Sequence, residues 1–345
     1  MTQISTVLVL GANGRFGRAC TQAFANAGWR VIGQQRSAVI TPQSGVTNLV
    51  TGSALLTQAL VALPRLDVVV HAMNPGYTNV GWKQHAPGLM DAAIGIATAH
   101  QATLMFPGNV YNYGVHMPAV LTPNTPFAPT TVKGAIRVAL EQRLQQTANG
   151  GSLRSVVIRA GDFFGSGTGS WFDRLIAKDL PRGTVGYPGP LDVSTPWAYV
   201  PDLAQAFVQV AQRRQTLAAF ESLHFAGHRL SGHDWLNLLQ PIAQAQGWIQ
   251  PGQSLKTTGL PWPLIRAGSL FNPGWAAISQ MRYLHQVPHA LDGSRLAALI
   301  GAQPGTPVNQ ALERALADLG LLLAPGLISN PRPGTSQPMN ASRQT

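Results

Sequence analysis

The chain has 345 residues, 45% of them hydrophobic and only 11% charged, where an ordinary soluble domain carries about a quarter charged. Its 24 Lys and Arg against 13 Asp and Glu give a formal charge of +11, and no acid precedes Asp67. So many apolar residues exclude a disordered body, leaving only the stretch after about Ala324, rich in Pro, Ser, Asn and Gln, as a disordered tail.

No apolar run reaches the roughly 18 residues of a membrane span. Met1-Thr2-Gln3-Ile4 lacks the basic region of a signal peptide, and the single Cys20 permits no internal disulfide, so a cytoplasmic protein is expected.

Short apolar runs then alternate with helical patterns. Val7–Leu10 reads as a strand and 16–27 as a helix, and further strands are expected at Arg30–Gly33, Asn48–Val50, Val68–Val70, Leu104–Phe106 and Val156–Ile158. Helical periodicity fills 55–63, 86–101 and 131–147. Strands that are continuous apolar runs, separated by helices, predict a doubly wound α/β domain whose parallel sheet is covered on both faces. Beyond Phe163 the texture turns to Gly, Pro and Trp; Trp197–Ala204 leads into another helix, and Leu223–Ala226 reads as one more strand. The expected division is a domain of 1–162 plus about 197–226, and a smaller, mostly helical C-terminal substrate lobe of about 163–196 plus 227–323.

Directly after the first strand comes Gly11-Ala12-Asn13-Gly14-Arg15-Phe16-Gly17, a G-x-x-G-x-x-G that opens a helix. Side chains at those glycines would block the tight turn and the approach of backbone N–H groups to a pyrophosphate on the helix N-terminus. Arg15 and Arg18 stand in the first turns of that helix, where a cation is unfavourable by about 0.3–1 kcal/mol unless an anion is bound. Extension into solvent is the other reading for Arg18. Folds that prefer NAD end the second strand on an acid that holds the ribose 2′-OH. This chain has Gly33-Gln34-Gln35-Arg36-Ser37, and an arginine suits a 2′-phosphate. NADP is therefore expected, with NAD open; in the alternative, Gln34 or Gln35 holds a ribose hydroxyl and Arg36 is an ordinary exposed residue.

These residues, together with Val70-His71-Ala72-Met73-Asn74-Pro75, Val110-Tyr111, Lys133, Arg159-Ala160-Gly161-Asp162-Phe163-Phe164-Gly165 and Tyr199-Val200-Pro201-Asp202-Leu203-Ala204, carry a resemblance. The chain resembles the short-chain dehydrogenase/reductase superfamily, in its extended and atypical branch of NAD-dependent epimerase/dehydratase-like proteins, over about residues 4–323. The resemblance implies a Rossmann-type domain, a helix N-cap at Asp202, and cofactor contacts from Gly11, Asn13, Gly14, Arg15, Phe16, Gly17, Arg36, Ala72, Met73, Asn74 and Lys133. It also implies catalysis by a Ser or Thr with a Tyr-x-x-x-Lys: the Tyr exchanges a proton with the substrate oxygen, and the Lys binds the nicotinamide ribose and lowers the Tyr pKa. Here Pro107 stands at the Ser position and Pro129 at the Tyr position, and neither has a side-chain proton to give.

Lys133 is the one retained member. A Lys near a helix N-terminus is locally unfavourable, and only four Lys occur in the chain, which favours a ribose-binding role over a solvated one. The apolar stripe of its helix reads Val132, Ala135, Ile136, Ala139 and Leu140, with Lys133, Arg137 and Glu141 on another face; in the alternative, Lys133 is a solvated surface residue and Arg137–Glu141 a plain surface pair. Tyr111 or Tyr113, at the carboxyl edge of the sheet where ligands bind, could replace the absent Tyr under the influence of Lys133; packing is the other reading. His116 is a weaker donor. Asp162 could be an acid/base, a substrate contact or a turn residue.

No H-E-x-x-H occurs, and His224 and His228 straddle a strand end, so no metal is expected. Trp171, Phe172, Tyr187, Trp197 and Tyr199 either line a cleft for an apolar or aromatic small molecule or form lobe core. No cluster of bases resembles a nucleotide-sugar diphosphate clamp, although Arg266 and Arg282 are candidates. The leading function is an NADP-dependent oxidoreductase or epimerase/dehydratase-like enzyme acting on a small carbonyl or alcohol. The other class, a catalytically silent NAD(P)-binding sensor, is favoured by the loss of Ser and Tyr. Apart from Arg213-Arg214 the bases are scattered singly and no nucleic-acid motif occurs, so neither nucleic acid nor a membrane is expected as partner. The resemblance implies a homodimer through 86–101 and 131–147.

Overall fold

The computed structural model describes residues 4–37, 43–52, 63 and 65–322. The helix expected over 55–63, residue 63 apart, and the tail after Ala324 lie outside them. In chain order the strands are β1 (Thr6–Leu10), β2 (Arg30–Gln35), β3 (Val46–Val50), β4 (Val68–His71), β5 (Thr103–Gly108), β6 (Val120–Leu121) and β7 (Arg154–Arg159). There follow β8 (Asp162–Phe164), β9 (Thr184–Tyr187), β10 (Thr195–Tyr199), β11 (Phe220–His224), β12 (His228–Leu230), β13 (Lys256–Gly259) and β14 (Ala290–Leu291). The helices used below are α1 (Arg15–Asn26), α2 (Asn79–Ala99), α3 (Val132–Asn149), α4 (Val200–Gln212), α5 (Gly232–Ala245), α6 (Trp262–Gly268) and α7 (Pro273–Gln280).

Seven strands make one parallel sheet in the order β11-β7-β5-β4-β1-β2-β3, and the strand order reverses at β1. All five residues of β1 are buried. Val7 and Val9 enter one layer with Phe16 and Phe24 of α1 and Phe207 of α4, while Leu8 and Leu10 enter the opposite layer with Met90 of α2 and Leu144 of α3. A strand covered on both faces needs both sets of alternate side chains apolar, which is why it reads as a continuous run. The reversal leaves a crevice at the carboxyl ends of β1 and β4, where ligands bind in such sheets.

Three local expectations change. Helix α2 starts at Asn79 rather than 86, because Thr78 caps it with Oγ1 accepting from Gly81 N at 3.0 Å. Helix α3 buries Lys133, Arg137 and Glu141 and exposes Ala135 and Ala139, so the expected stripe holds at Leu140 and Ile136 and fails at its alanines. Alanines offer little apolar area, so the face with Leu140 and Leu144 goes inward and takes the charged row with it. Asp202 is not the cap of α4, whose N-cap is Tyr199; its carboxylate accepts from Thr306 N at 2.7 Å and Thr306 Oγ1 at 2.8 Å.

A separate apolar core forms around Phe172, Trp197 and Trp235, drawn from within 164–199, 230–255 and 308–322. Short strands accompany its helices, with β8, β10 and β12 in one sheet and β9 paired to β13. Phe172, Tyr187, Trp197 and Tyr199 belong to this core, and the half-buried Trp171 stands edge-on to His285 at 5.3 Å. Among the described residues no helix is long and apolar enough to cross a membrane.

Candidate active site

Gly11 turns with φ +82°, and a Cβ there would stand 3.0 Å from the Ala72 carbonyl; one on Gly17 would stand 2.2 Å from Gly11 O. The loop is therefore folded tightly on itself and against the end of β4. Gly14 caps α1 without a side chain, and the N–H groups of Arg15, Phe16 and Gly17 have no acceptor within the helix. That cradle fits a dinucleotide pyrophosphate. Asn13, Ala72 and Met73 are half-buried on the same rim and Asn74 is exposed, whereas the Phe16 ring packs on Phe207 at 4.9 Å.

Arg36 is exposed just past β2, while Gln34 and Gln35 are engaged inside. Gln34 Oε1 accepts from Gly11 N at 3.2 Å and its Nε2 donates to Thr51 O at 3.1 Å; Gln35 Nε2 donates to Asn48 Oδ1 at 3.3 Å. Arg15 leans toward acids, 3.9 Å from Asp173 and within the field of Asp162. Arg18 does not extend free into solvent, because Nη2 donates to Ser166 O at 3.3 Å.

Lys133 sits in the first turn of α3, which Thr131 caps through Gly134 N at 3.1 Å. It is fully buried, with Nζ donating to Asn79 Oδ1 at 2.9 Å and lying 4.3 Å above the Tyr77 ring. Burial pulls its pKa down to about 8. A Cβ on Gly134 would meet Tyr111 O at 2.5 Å, so α3 presses directly against the Tyr111 backbone. Tyr111 and Tyr77 are electrostatic neighbours, and burial lifts the Tyr111 pKa well above the usual phenol range and that of Tyr77 to about 12. Tyr77 remains 41% exposed.

The other expected donors stand elsewhere. Tyr113 is buried with its hydroxyl 2.9 Å from His224 Nε2, and His224 Nδ1 lies 3.0 Å from Leu121 O. The Leu121 carbonyl can only accept, so Nδ1 carries the proton and Tyr113 donates to Nε2. Burial holds His224 neutral with a pKa of about 4. His116 is exposed. Pro107 O accepts from Arg137 Nη1 at 3.1 Å, and Arg137 stacks over Phe106 at 4.7 Å. Glu141 forms a buried ion pair with Arg159 rather than a surface pair with Arg137, and Arg159 Nη1 also donates to Ser222 Oγ at 2.6 Å.

Asp162, on β8, is half-buried, and its carboxyl is pushed up to about 7 by burial, opposed by Arg15. His285 Nε2 lies 3.5 Å from Asp162 Oδ2, and burial keeps that imidazole neutral with a pKa of about 3. The charge of Asp162 is also felt by Tyr77, Tyr111, Tyr187 and Tyr283, all of which it pushes upward. Sequence reasoning passes over Tyr77, Asn79, Tyr283 and His285. The turn Asn74-Pro75-Gly76 at the end of β4 is the one signal for Tyr77; Tyr283 and His285 arrive from a distant segment with none. A cleft of about 540 Å³, between Arg18, Gln22, Tyr199 and Arg314, contains none of Lys133, Tyr77, Tyr111 or Asp162.

Comparisons with known proteins agree with this architecture. The structure of UDP-glucose 4-epimerase from Brucella ovis in complex with NAD is similar at a TM-score of 0.69 and 15% identity, covering 92% of this chain and 98% of that one. UDP-glucuronic acid 4-epimerase from Bacillus cereus in complex with NAD gives 0.67 and 16%, covering 90% and 94%. UDP-glucose 4-epimerase from Thermotoga maritima with UDP-glucose gives 0.69 and 13%, covering 91% and 98%. At these identities the likeness shows the fold. A search of curated proteins finds no match. The family model of the NAD dependent epimerase/dehydratase family matches residues 7–223, from β1 through the glycine loop and Lys133 to β11, and the chain belongs to that family.

Proposed function

We propose that this chain is an NADP-dependent oxidoreductase or epimerase acting on a small carbonyl or alcohol, with Lys133 and the Tyr77–Tyr111 pair in place of the missing Tyr. The observation that carries this reading is the buried Lys133 ammonium 4.3 Å above the ring of Tyr77, with Tyr111 as a neighbour. Gly11–Gly17, Ala72–Asn74 and Lys133 would hold the dinucleotide, with Arg36 free to meet a 2′-phosphate. The cofactor supplies the hydride donor or acceptor. In this reading Tyr77 gives its proton to the substrate oxygen, with Tyr111 beside it as the next donor, and the cation over its ring favours the phenolate that remains. A diphosphate substrate would meet the Asp162 carboxyl with Arg15, already shared with Asp173, as its counter-charge, which favours an uncharged carbonyl compound.

One observation favours the silent sensor: Lys133 Nζ is already held by Asn79 and covered by Tyr77. Titrating NADPH and NADH by fluorescence, then following NADPH consumption across a panel of aldehydes and ketones, separates the readings. Turnover is expected, with Tyr77→Phe and Tyr111→Phe each lowering kcat by about 10²-fold, as loss of a general acid does. Tight binding with no turnover would establish the sensor, and turnover unaltered in both variants would overturn the assignment of the tyrosines.

A further inference from the structure

Helices α6 and α7 form a hairpin whose turn, Ser269-Leu270-Phe271, carries apolar side chains with no cover: Leu270 is 82% and Phe271 88% exposed. Leu264 on α6 is 61% exposed, and Val80 on α2, next to the Asn79 amide that donates to Gln280 Oε1 at 3.0 Å, is 57% exposed. Slack does not explain the exposure. Asn272 Oδ1 caps α7 by accepting from Gly274 N at 2.9 Å and Trp275 N at 3.1 Å, and Phe271 N and Asn272 N donate to Gly268 O at 3.0 and 2.9 Å. The Trp275 ring packs so closely on Gly268 that a Cβ there would stand 2.3 Å from it. A braced hairpin thus holds Leu270 and Phe271 outward.

Its charge is one-sided. No acid occurs between Asp234 and Asp292, a stretch that carries Lys256, Arg266 and Arg282. Arg266 and Arg282 are exposed, as is Lys83 on α2, three residues beyond Val80.

We propose that this hairpin docks the protein on an anionic lipid bilayer, with Leu270 and Phe271 entering below the headgroups while Arg266, Arg282 and Lys83 meet lipid phosphates. Insertion of a few apolar side chains and attraction of a few cations are each weak, and together they give reversible surface binding. A second copy would bring the same excess of positive charge to the contact, which opposes self-association through this face. The absence of a spanning run does not bear on a tip that lies in the interface. Docking also gives the excess of +11 a role beyond the cofactor loop.

Sedimentation of the full chain with vesicles of phosphatidylcholine alone, or mixed with phosphatidylglycerol, tests the proposal. Binding is expected to the anionic vesicles only and to fall as salt rises. The double variant Leu270→Ser/Phe271→Ser should partition at least tenfold less with an unchanged melting temperature, since both side chains already lie in water; Arg266→Glu/Arg282→Glu should do the same. No binding of the unaltered protein at low salt, or equal binding by the double Ser variant, overturns the proposal. So does a dimer in light scattering that the double Ser variant dissolves while lipid binding is absent, which would assign the patch to a second copy.

Discussion

Helix α3 carries two buried charged places two turns apart, and they are built in opposite ways. Glu141 meets Arg159 in an ion pair with both side chains 1% exposed, and Ser222 Oγ takes a further guanidinium proton. Among the described residues Lys133 meets no carboxylate; an amide oxygen of Asn79 and the rings of Tyr77 and Trp82 are what it has for solvation. A charge whose burial is compensated by its opposite is part of the frame, whereas an uncompensated cation at the carboxyl edge of a sheet retains a pKa that can be used. On the proposed function, the helix is structural at its middle and chemical at its start.

The largest effect should come from breaking the compensated pair. Glu141→Gln leaves Arg159 charged and buried and is expected to cost about 3–5 kcal/mol, read as a lower denaturant midpoint at unchanged slope. Lys133→Met should do the reverse, keeping or raising the midpoint because a lone cation leaves the interior, while turnover drops by about 10²-fold or more. In the unaltered protein kcat/KM should decline as pH rises through about 8, where Lys133 loses its proton. A Lys133→Met that unfolds the protein, or a profile flat across that range, would erase the contrast between the two places.

How legible these places were depended on whether local pattern or distant packing built them. The glycine loop and the doubly covered strands are sequence-local, because a tight turn and a two-sided apolar strand each dictate their own residues. Lys133 could be singled out by the resemblance and by its place in the first turn of a helix in a chain with only four Lys, but its burial could not, since the small Ala135 and Ala139 read as apolar and yet stay outside. Tyr111 and Tyr113 are equivalent by position, and only the contacts of Tyr113 with His224 and of Tyr111 with Tyr77 distinguish them. His285 reaches Asp162 from more than a hundred residues away, a juxtaposition that no window of sequence contains.

Asp162 lies between the two extremes, a carboxyl with a partial counter-charge in Arg15. Its pKa, raised to about 7, means that the folded state favours the protonated form. The stabilising contribution is therefore complete below the unfolded value near 4 and is lost as pH rises through about 7. Asp162→Asn should accordingly be more stable than the parent at pH 8, by up to about 4 kcal/mol, and nearly equal to it at pH 4. Denaturation at the two pH values decides it, and a variant less stable at pH 8 would mean that the carboxylate is compensated after all, as Glu141 is.

The smallest effect belongs to a cation that is not buried. Arg36 stands in solvent just past β2, and removing it costs the fold nothing that the structure shows. Its charge matters only when a phosphate is opposite, and an exposed pair of this kind is worth on the order of 1 kcal/mol. Arg36→Ala should therefore weaken NADPH binding by roughly tenfold, leave NADH binding unchanged, and flatten the salt dependence of the NADPH affinity. Equal affinity for the two cofactors in the parent, unchanged in the variant, would place Arg36 among ordinary surface arginines. The uncompensated cation that matters would then be Lys133 alone, and cofactor choice would rest on the backbone loop that binds both dinucleotides alike.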